Sequence, residues 1–229
     1  MFRVEKRSNL FGPGERLLRR GDYIRGSFVK PEYVDGYVVG VNPGDRDDVL
    51  GRFAFSKTSV DACVVAASRA ATIWRCRRLA DRCAVIRTAR EFLSERQEKI
   101  AMLITRETGK PIWESQQEVV ATIRTLDLFL DDGLPYLASK IIDPREARSE
   151  PRPRGVVAII TPYNMPLLLP MTQVAASLLA GNSVVLKTSK FTPGTGQFIA
   201  EVMDRCRLPR GTFNFFQGSG AGNGERLAT

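Results

Sequence analysis

The chain has 229 residues and 43% hydrophobic content, enough for one large domain or two small ones of ordinary globular composition. It has no histidine, and its four cysteines (Cys63, Cys76, Cys83, Cys206) include no CxxC pair, so the common zinc patterns and every mechanism that uses histidine to activate serine or cysteine are excluded. The net charge of +9 is carried by residues 1–30 (8 basic, 3 acidic) and 69–110 (11 basic, 5 acidic); with acids interleaved and no alternation of aromatic and basic side chains, it argues for solvated arginine-rich helix faces and against nucleic acid.

Residues 1–30 read as a basic, loosely ordered extension. Their opening MFRVEKRSN lacks the apolar core of a secretory signal. No apolar run anywhere approaches the ~18 residues of a membrane span, so no membrane partner is expected. The cysteines are expected to be reduced and mostly buried, in a cytoplasmic protein.

Residues 31–150 form the next segment. Tyr33 to Val41 predicts a hairpin with Asp35-Gly36 as its turn. Helices follow over Thr58–Trp74, Leu79–Leu93 and Glu98–Thr108 from the 3.6-residue recurrence of apolar positions. Gly109 reads as a left-handed stop and Pro111 as the first turn of another helix, whose apolar stripe is Ile112, Val119, Ile123, Leu126 and Leu130. Lys140 to Pro153 reads as an exposed linker or edge strand.

Residues 151–229 have a different texture. Val156–Ile160 is a continuous apolar strand of the kind covered on both faces in a parallel sheet. Leu167, Met171, Val174 and Leu178 mark a helix stopped by Gly181-Asn182. Ser183–Leu186 is a second strand, Pro193–Cys206 a second helix, and Phe213–Phe216 a third strand leading into the glycine-rich Gly218–Gly224. The order is β-α-β-α-β, so the fold class is α/β: a hairpin and helices lead into a partial Rossmann-like parallel sheet. Right-handed crossovers would put the loops after all three strands on one edge.

Ligands of open α/β sheets sit at the carboxyl ends of the strands. Three segments reach that edge: Thr161-Pro-Tyr-Asn164, Lys187-Thr-Ser-Lys190, and the glycine loop. Singly, each has an ordinary reading as a proline-rich turn, a surface lysine or a flexible turn. Together they point to a nucleotide site.

The wording of these segments is more specific. PRGVVAIITPYNMPLLL, LLAGNSVVLKTSKFTP and LPRGTFNFFQGSGAGNG, preceded by ETGKPIWES and EVVATI, resemble the cofactor-binding domain of the aldehyde dehydrogenase superfamily. They are closest in wording to its succinylglutamate-semialdehyde dehydrogenase branch. The resemblance implies an enzyme that oxidises an aldehyde through a cysteine thiohemiacetal and hydride transfer to NAD or NADP. It implies that Asn164 donates its amide to the aldehyde oxygen, stiffened by Pro162 and Pro166. Thr161, Pro162 and Tyr163 would border the dinucleotide, Lys187 would bind the adenosine ribose, and Gly218, Gly220 and Gly224 would let the backbone pass close to the adenine side. The family is dimeric or tetrameric, which implies a homo-oligomer.

Two departures from the family pattern matter. Where the family commonly reads KPSE, this chain reads Lys187-Thr-Ser-Lys190. Lys190 cannot accept hydrogen bonds from the ribose hydroxyls and would attract a 2′-phosphate, which tilts the expectation toward NADP, with a lysine swung into solvent as the other reading. The family's nucleophilic cysteine (GQxC-type) and general-base glutamate (E-x-G-G-type) have no counterpart here. The only Gly-Gln, Gly196-Gln197, continues as Phe198-Ile-Ala inside a predicted helix. The expectation is therefore a truncated, N-terminal cofactor-binding part, inactive by itself, with an apolar sheet edge left open. The other reading is a non-catalytic nucleotide-binding or regulatory module that pairs with a complementing chain.

Overall fold

The structure is a computed structural model that describes Leu17 and residues 20–143, 145 and 147–229; most of the basic extension therefore lies outside the described residues. Its end does not. Strands β1 (Asp22–Ile24) and β2 (Ser27–Val29) form a tight hairpin around Arg25 and Gly26, both at positive φ (54° and 79°). This corrects the expectation of a loosely ordered tail: β1 pairs antiparallel with a strand nearly two hundred residues later, through Tyr23 and Phe215. The Asp22 carboxylate also accepts the Gln217 N–H at 2.8 Å.

A second hairpin joins β3 (Gly36–Asn42) to β4 (Asp45–Phe55). Its turn is at Pro43-Gly44, where the Asn42 side chain accepts the Gly44 N–H at 3.0 Å, and not at Asp35-Gly36 as the sequence suggested. Gly36 starts β3, while Asp35 accepts the Lys57 N–H at 2.6 Å and so steadies the entry to the first helix. An Asx-stabilised turn outcompetes an Asp-Gly pair whose aspartate is committed elsewhere.

Four helices follow within one residue of the periodic segments: α1 (Thr58–Trp74), α2 (Leu79–Ser94), α3 (Gln97–Thr108) and α4 (Ile112–Asp131). Gly109, at φ 73°, ends α3. The segment read as linker or edge strand is a small exposed ribbon of β5 (Lys140–Asp143) and β6 (Ala147–Ser149). Then come β7 (Val156–Ile160), α5 (Leu168–Leu179), β8 (Ser183–Lys187), α6 (Pro193–Arg205), β9 (Phe213–Phe215), a single wide turn at Gly220–Gly224, and α7 (Glu225–Ala228).

The main sheet has the order β2-β1-β9-β8-β7, with β7, β8 and β9 parallel. Every residue of β8 is buried. Val184 and Leu186 face the large core with Leu178, Ile199 and Phe215, whereas Val185 faces the smaller cluster of Val60, Cys63, Ala67 and Phe216 beneath α1. Burying each such aliphatic side chain contributes roughly 1.5–3 kcal/mol. The alanine-rich face of α1 permits a close approach: Ser183 donates to the Ala67 carbonyl at 2.8 Å, and a Cβ on Gly211 would lie 2.6 Å from the Ala66 carbonyl.

Strand β7 departs from the expectation of cover on both faces. It is the last strand of the sheet; Ile159 is buried, but Ala158 and Ile160 on the other face are exposed, Ile160 by 47%. No helix among the described residues is long and apolar enough to cross a membrane.

Candidate functional site

The three segments singled out in the sequence leave the same edge of the sheet, and the first two touch. Because β7, β8 and β9 are parallel, their following loops leave one edge of the sheet. The Thr161 N–H donates to the Lys187 carbonyl at 3.1 Å, extending the β7–β8 ladder by one step. Beyond it the Tyr163 ring meets Phe191 edge-on at 5.5 Å, and the Lys190 ammonium lies 5.0 Å from the same Phe191 ring. The Gln217 side chain donates to the Pro193 carbonyl at 2.8 Å and links the end of β9 to the start of α6.

Polarity is stored at this edge. The hydroxyls of Thr161 and Thr188 are buried and have no hydrogen-bond partner among the described residues. Lys187 is only 4% exposed, and burial first, then the charge of Lys190, lowers its pKa below the ordinary lysine value. Buried hydroxyls and a partly enclosed ammonium are costly unless something completes their hydrogen bonds. By contrast, Pro162, Tyr163 and Asn164 are exposed, and the Asn164 amide makes no hydrogen bond among the described residues.

The glycine loop divides into required and unrequired positions. Gly218 has φ 155°, and a Cβ there would run into the Asn223 side chain, whose amide is fixed by donating to the Ser56 carbonyl at 2.9 Å. Gly220 has no atom within 4 Å of a notional Cβ, and Gly224 meets only the Ser219 carbonyl at 3.8 Å. The protein's own packing therefore demands glycine at 218 but at neither 220 nor 224.

Two buried carboxylates hold the loops from behind. Glu107, at the end of α3, accepts the N–H groups of Gly194 and Thr195 (2.6 and 2.7 Å) and the Thr195 hydroxyl (2.6 Å), capping α6. Burial nevertheless outweighs these donors and pushes its pKa up to about 7. Glu118, from α4, accepts the N–H groups of Leu167 and Leu168 at 2.9 and 3.2 Å, capping α5, whose own N-cap Leu167 has no side chain able to do so. The sequence showed both glutamates only as letters of the family-like segments ETGKPIWES and EVVATI, with no direct sign of this work. The available signal was Glu107 itself, since a carboxylate at a helix C-terminus opposes the dipole unless something outside the helix recruits it.

No cysteine reaches the edge. Cys63, Cys83 and Cys206 are buried, and burial pushes the Cys63 thiol far up and Cys206 to about 12. The expectation of mostly buried thiols holds, with Cys76 the exception: it is exposed at the end of α1, beyond Trp74, the last side chain that α1 buries. Cys63 and Cys206 are thus the opposite of a reactive thiolate, whose pKa is depressed. Among the described residues no cluster of histidine, cysteine, aspartate or glutamate could hold a metal ion.

An open α/β sheet with unmet polar groups at its carboxyl edge defines a ligand-binding class of architecture. Comparison with known proteins narrows the class. The Aldehyde dehydrogenase family model matches residues 29–229, and the chain belongs to that family. It is 36% identical over 179 residues to N-succinylglutamate 5-semialdehyde dehydrogenase of Burkholderia multivorans, covering 77% of this chain and 37% of that protein. Lactaldehyde dehydrogenase of Escherichia coli superimposes with a TM-score of 0.84 at 30% identity, over 92% of this chain and 44% of that one. Aldehyde dehydrogenase C of Pseudomonas syringae, in a mutant form complexed with NAD+ and octanal, gives 0.85 at 29% identity over 94% and 45%. The chain thus spans less than half the length of the relatives it matches.

Proposed function

We propose that this chain is the cofactor-binding part of an NAD(P)-dependent aldehyde dehydrogenase, with Asn164 as the donor that meets the aldehyde oxygen. The observation that carries this is the convergence of the Asn164 turn, the buried Lys187 and the glycine loop on one sheet edge of a family member. The residues fit a dinucleotide: Lys187 and the unpartnered Thr161 hydroxyl offer hydrogen bonds at the edge, and the space over Gly220 is free. Thr161, Pro162, Tyr163, Lys187, Gly218, Gly220 and Gly224 would hold it, and when bound it supplies the hydride acceptor. Asn164, exposed and uncommitted, is free to donate where negative charge develops on the aldehyde oxygen; losing one such donor typically costs about 2.7–4 kcal/mol of barrier.

The preference for NADP rests on Lys190, a positive charge on the loop that follows Lys187. Tighter binding of AMP than of 2′-phospho-AMP would reject it. The aldehyde of the complete enzyme leans, by similarity alone, to a semialdehyde of the kind named for the Burkholderia relative. Four free thiols without a disulfide suit the cytoplasm.

Calorimetric titration of the purified chain with NAD and NADP tests the binding, and absorbance at the reduced-nicotinamide band with an aldehyde present tests the inactivity. Saturable binding without turnover is expected; no binding would reject the cofactor role, and saturable turnover would reject the inactivity. A second reading, a nucleotide-binding module that pairs with another chain, is favoured by the open β7 edge and by the burial of Cys63, Cys83 and Cys206. A monodisperse chain that binds nucleotide and stays inactive until a second chain is added would favour it.

A further inference from the structure

We propose that Lys110 and Glu118 form a positioning pair that sets where the Asn164 amide points. The inference rests on the reading of Asn164 as the donor. Lys110 donates to the Asn164 backbone carbonyl at 2.8 Å and to Glu118 Oε2 at 2.7 Å. The other oxygen of Glu118 accepts the Leu167 and Leu168 N–H groups. One ion pair therefore grips both ends of the turn from Asn164 to Leu168: the carbonyl at its start and the first N–H groups of α5 at its finish.

Glu118 is buried and Lys110 half-buried, with side-chain exposures of 3% and 16%. A buried carboxylate persists only when its oxygens are satisfied, and here each oxygen is. Gly109 in its left-handed conformation and Pro111 at the N-cap of α4 fix the path that delivers Lys110 to the turn.

The arrangement does more than cap a helix. Capping α5 needs only Glu118 and the Leu167 and Leu168 N–H groups. The bond from Lys110 to the Asn164 carbonyl adds nothing to α5, because that carbonyl lies before the helix. It fixes the peptide plane next to an exposed side chain that makes no hydrogen bond of its own among the described residues. Prolines at 162 and 166 limit φ on either side, but neither sets the orientation of the Asn164 peptide; Lys110 does.

Nuclear magnetic resonance on the 15N-labelled chain tests the pair. In Lys110→Met the Leu167 and Leu168 amides should exchange about tenfold faster, the change expected when one charge-assisted contact is lost from a local opening. The Asn164 side-chain amide should show a reduced heteronuclear Overhauser effect, while Val185 and Leu186 of β8 exchange at the parental rate. Lys110→Arg, which keeps the charge and the donors, should restore the parental values. Unchanged Asn164 and Leu167 signals would overturn the proposal, as would equal acceleration at Val185 and Leu186, which would mean general destabilisation. Should the methionine variant fail to fold, Lys110→Gln carries the same readouts and the same two rejections. The measurement needs no ligand, so its failure rejects the positioning pair, whereas failure of NAD(P) titration rejects the functional reading on which it rests.

Discussion

Glu107 accepts both the backbone N–H and the hydroxyl of Thr195, at 2.7 and 2.6 Å, across 88 residues of sequence. The carboxyl group is wholly enclosed, and burial raises its pKa from 4.5 to about 7 against the opposing pull of Thr195, Gly194 and Arg106. A group whose folded pKa lies above its unfolded value lends stability that is complete below the unfolded value and is lost as pH rises through the folded one. Glu107→Gln removes that titration. The stability of the parent relative to the variant should therefore fall by roughly 3 kcal/mol between about pH 5 and about pH 8, measured by urea unfolding. A difference that stays flat across this range would mean that Glu107 is ionised throughout.

Arg106, the neighbour of Glu107, forms a bidentate pair with Asp48 of β4, at 2.9 and 2.6 Å, with side-chain exposures of 3% and 9%. It ties α3 to the β3–β4 hairpin. Replacing one member leaves a buried charge uncompensated, so Asp48→Ala should cost about 3–5 kcal/mol. The double variant Asp48→Ala/Arg106→Met should cost less than the sum of the singles, because the stranded guanidinium is gone. Additive costs in equilibrium unfolding would show that the two residues act independently.

How much of this was legible in the sequence differs by element. Helices α1 to α4 were, because each carries a long apolar stripe at helical spacing and Gly109 marks a stop. Strand β8 was legible too, its run of Val184, Val185 and Leu186 being buried on both sides. The same pattern misled at β7, since an apolar run reports β propensity but not whether both faces are covered. The pairing of β1 with β9 was hidden because a three-residue strand has no period to detect and its partner is distant in the chain. For the proposed site, Asn164, Lys187 and the glycine loop were singled out through position after a strand and through family resemblance. Lys110 and Glu118 were seen only as words in a signature, because their partners are 54 and 49 residues away. Contacts of that range leave no local trace.

The glycine loop offers a test that separates packing from ligand. Gly218→Ala forces a side chain into an unfavourable conformation against Asn223 and should cost about 1–3 kcal/mol. Gly220→Ala meets no atom within 4 Å and should raise stability by about 0.4–1 kcal/mol by restricting the unfolded chain. If the dinucleotide passes over Gly220, the same variant should weaken NAD(P) binding while unfolding at a higher temperature. Unaltered affinity would remove Gly220 from the proposed site.

Lys187 should show a similar opposition between stability and binding. Its side chain is buried, with the ammonium partly enclosed near the charge of Lys190, an arrangement unfavourable to the free protein and useful to a ligand that accepts hydrogen bonds. Lys187→Met keeps the stem and deletes the charge, so the thermal midpoint should rise. Nucleotide affinity should fall about tenfold or more, the loss expected for one hydrogen bond to a charged group. A variant that loses stability instead would show that Lys187 is already satisfied within the protein.

The open edge of β7 should govern how the isolated chain behaves at high concentration. An exposed apolar edge strand presents unpaired backbone groups as a template for another strand, and native proteins commonly blunt such edges with lysine. Ala158 lies on the uncovered face of β7, away from the segment that follows Ile160. Ala158→Lys should leave the circular dichroism spectrum unchanged and reduce concentration-dependent light scattering. The helices that cover the opposite face bury Ile159, so the substitution does not touch the core. If scattering instead persists at the parental level, association runs through another surface. The exposed ribbon of β5 and β6, with Ile141 and Ile142 exposed by 74% and 72%, is then the surface to alter next.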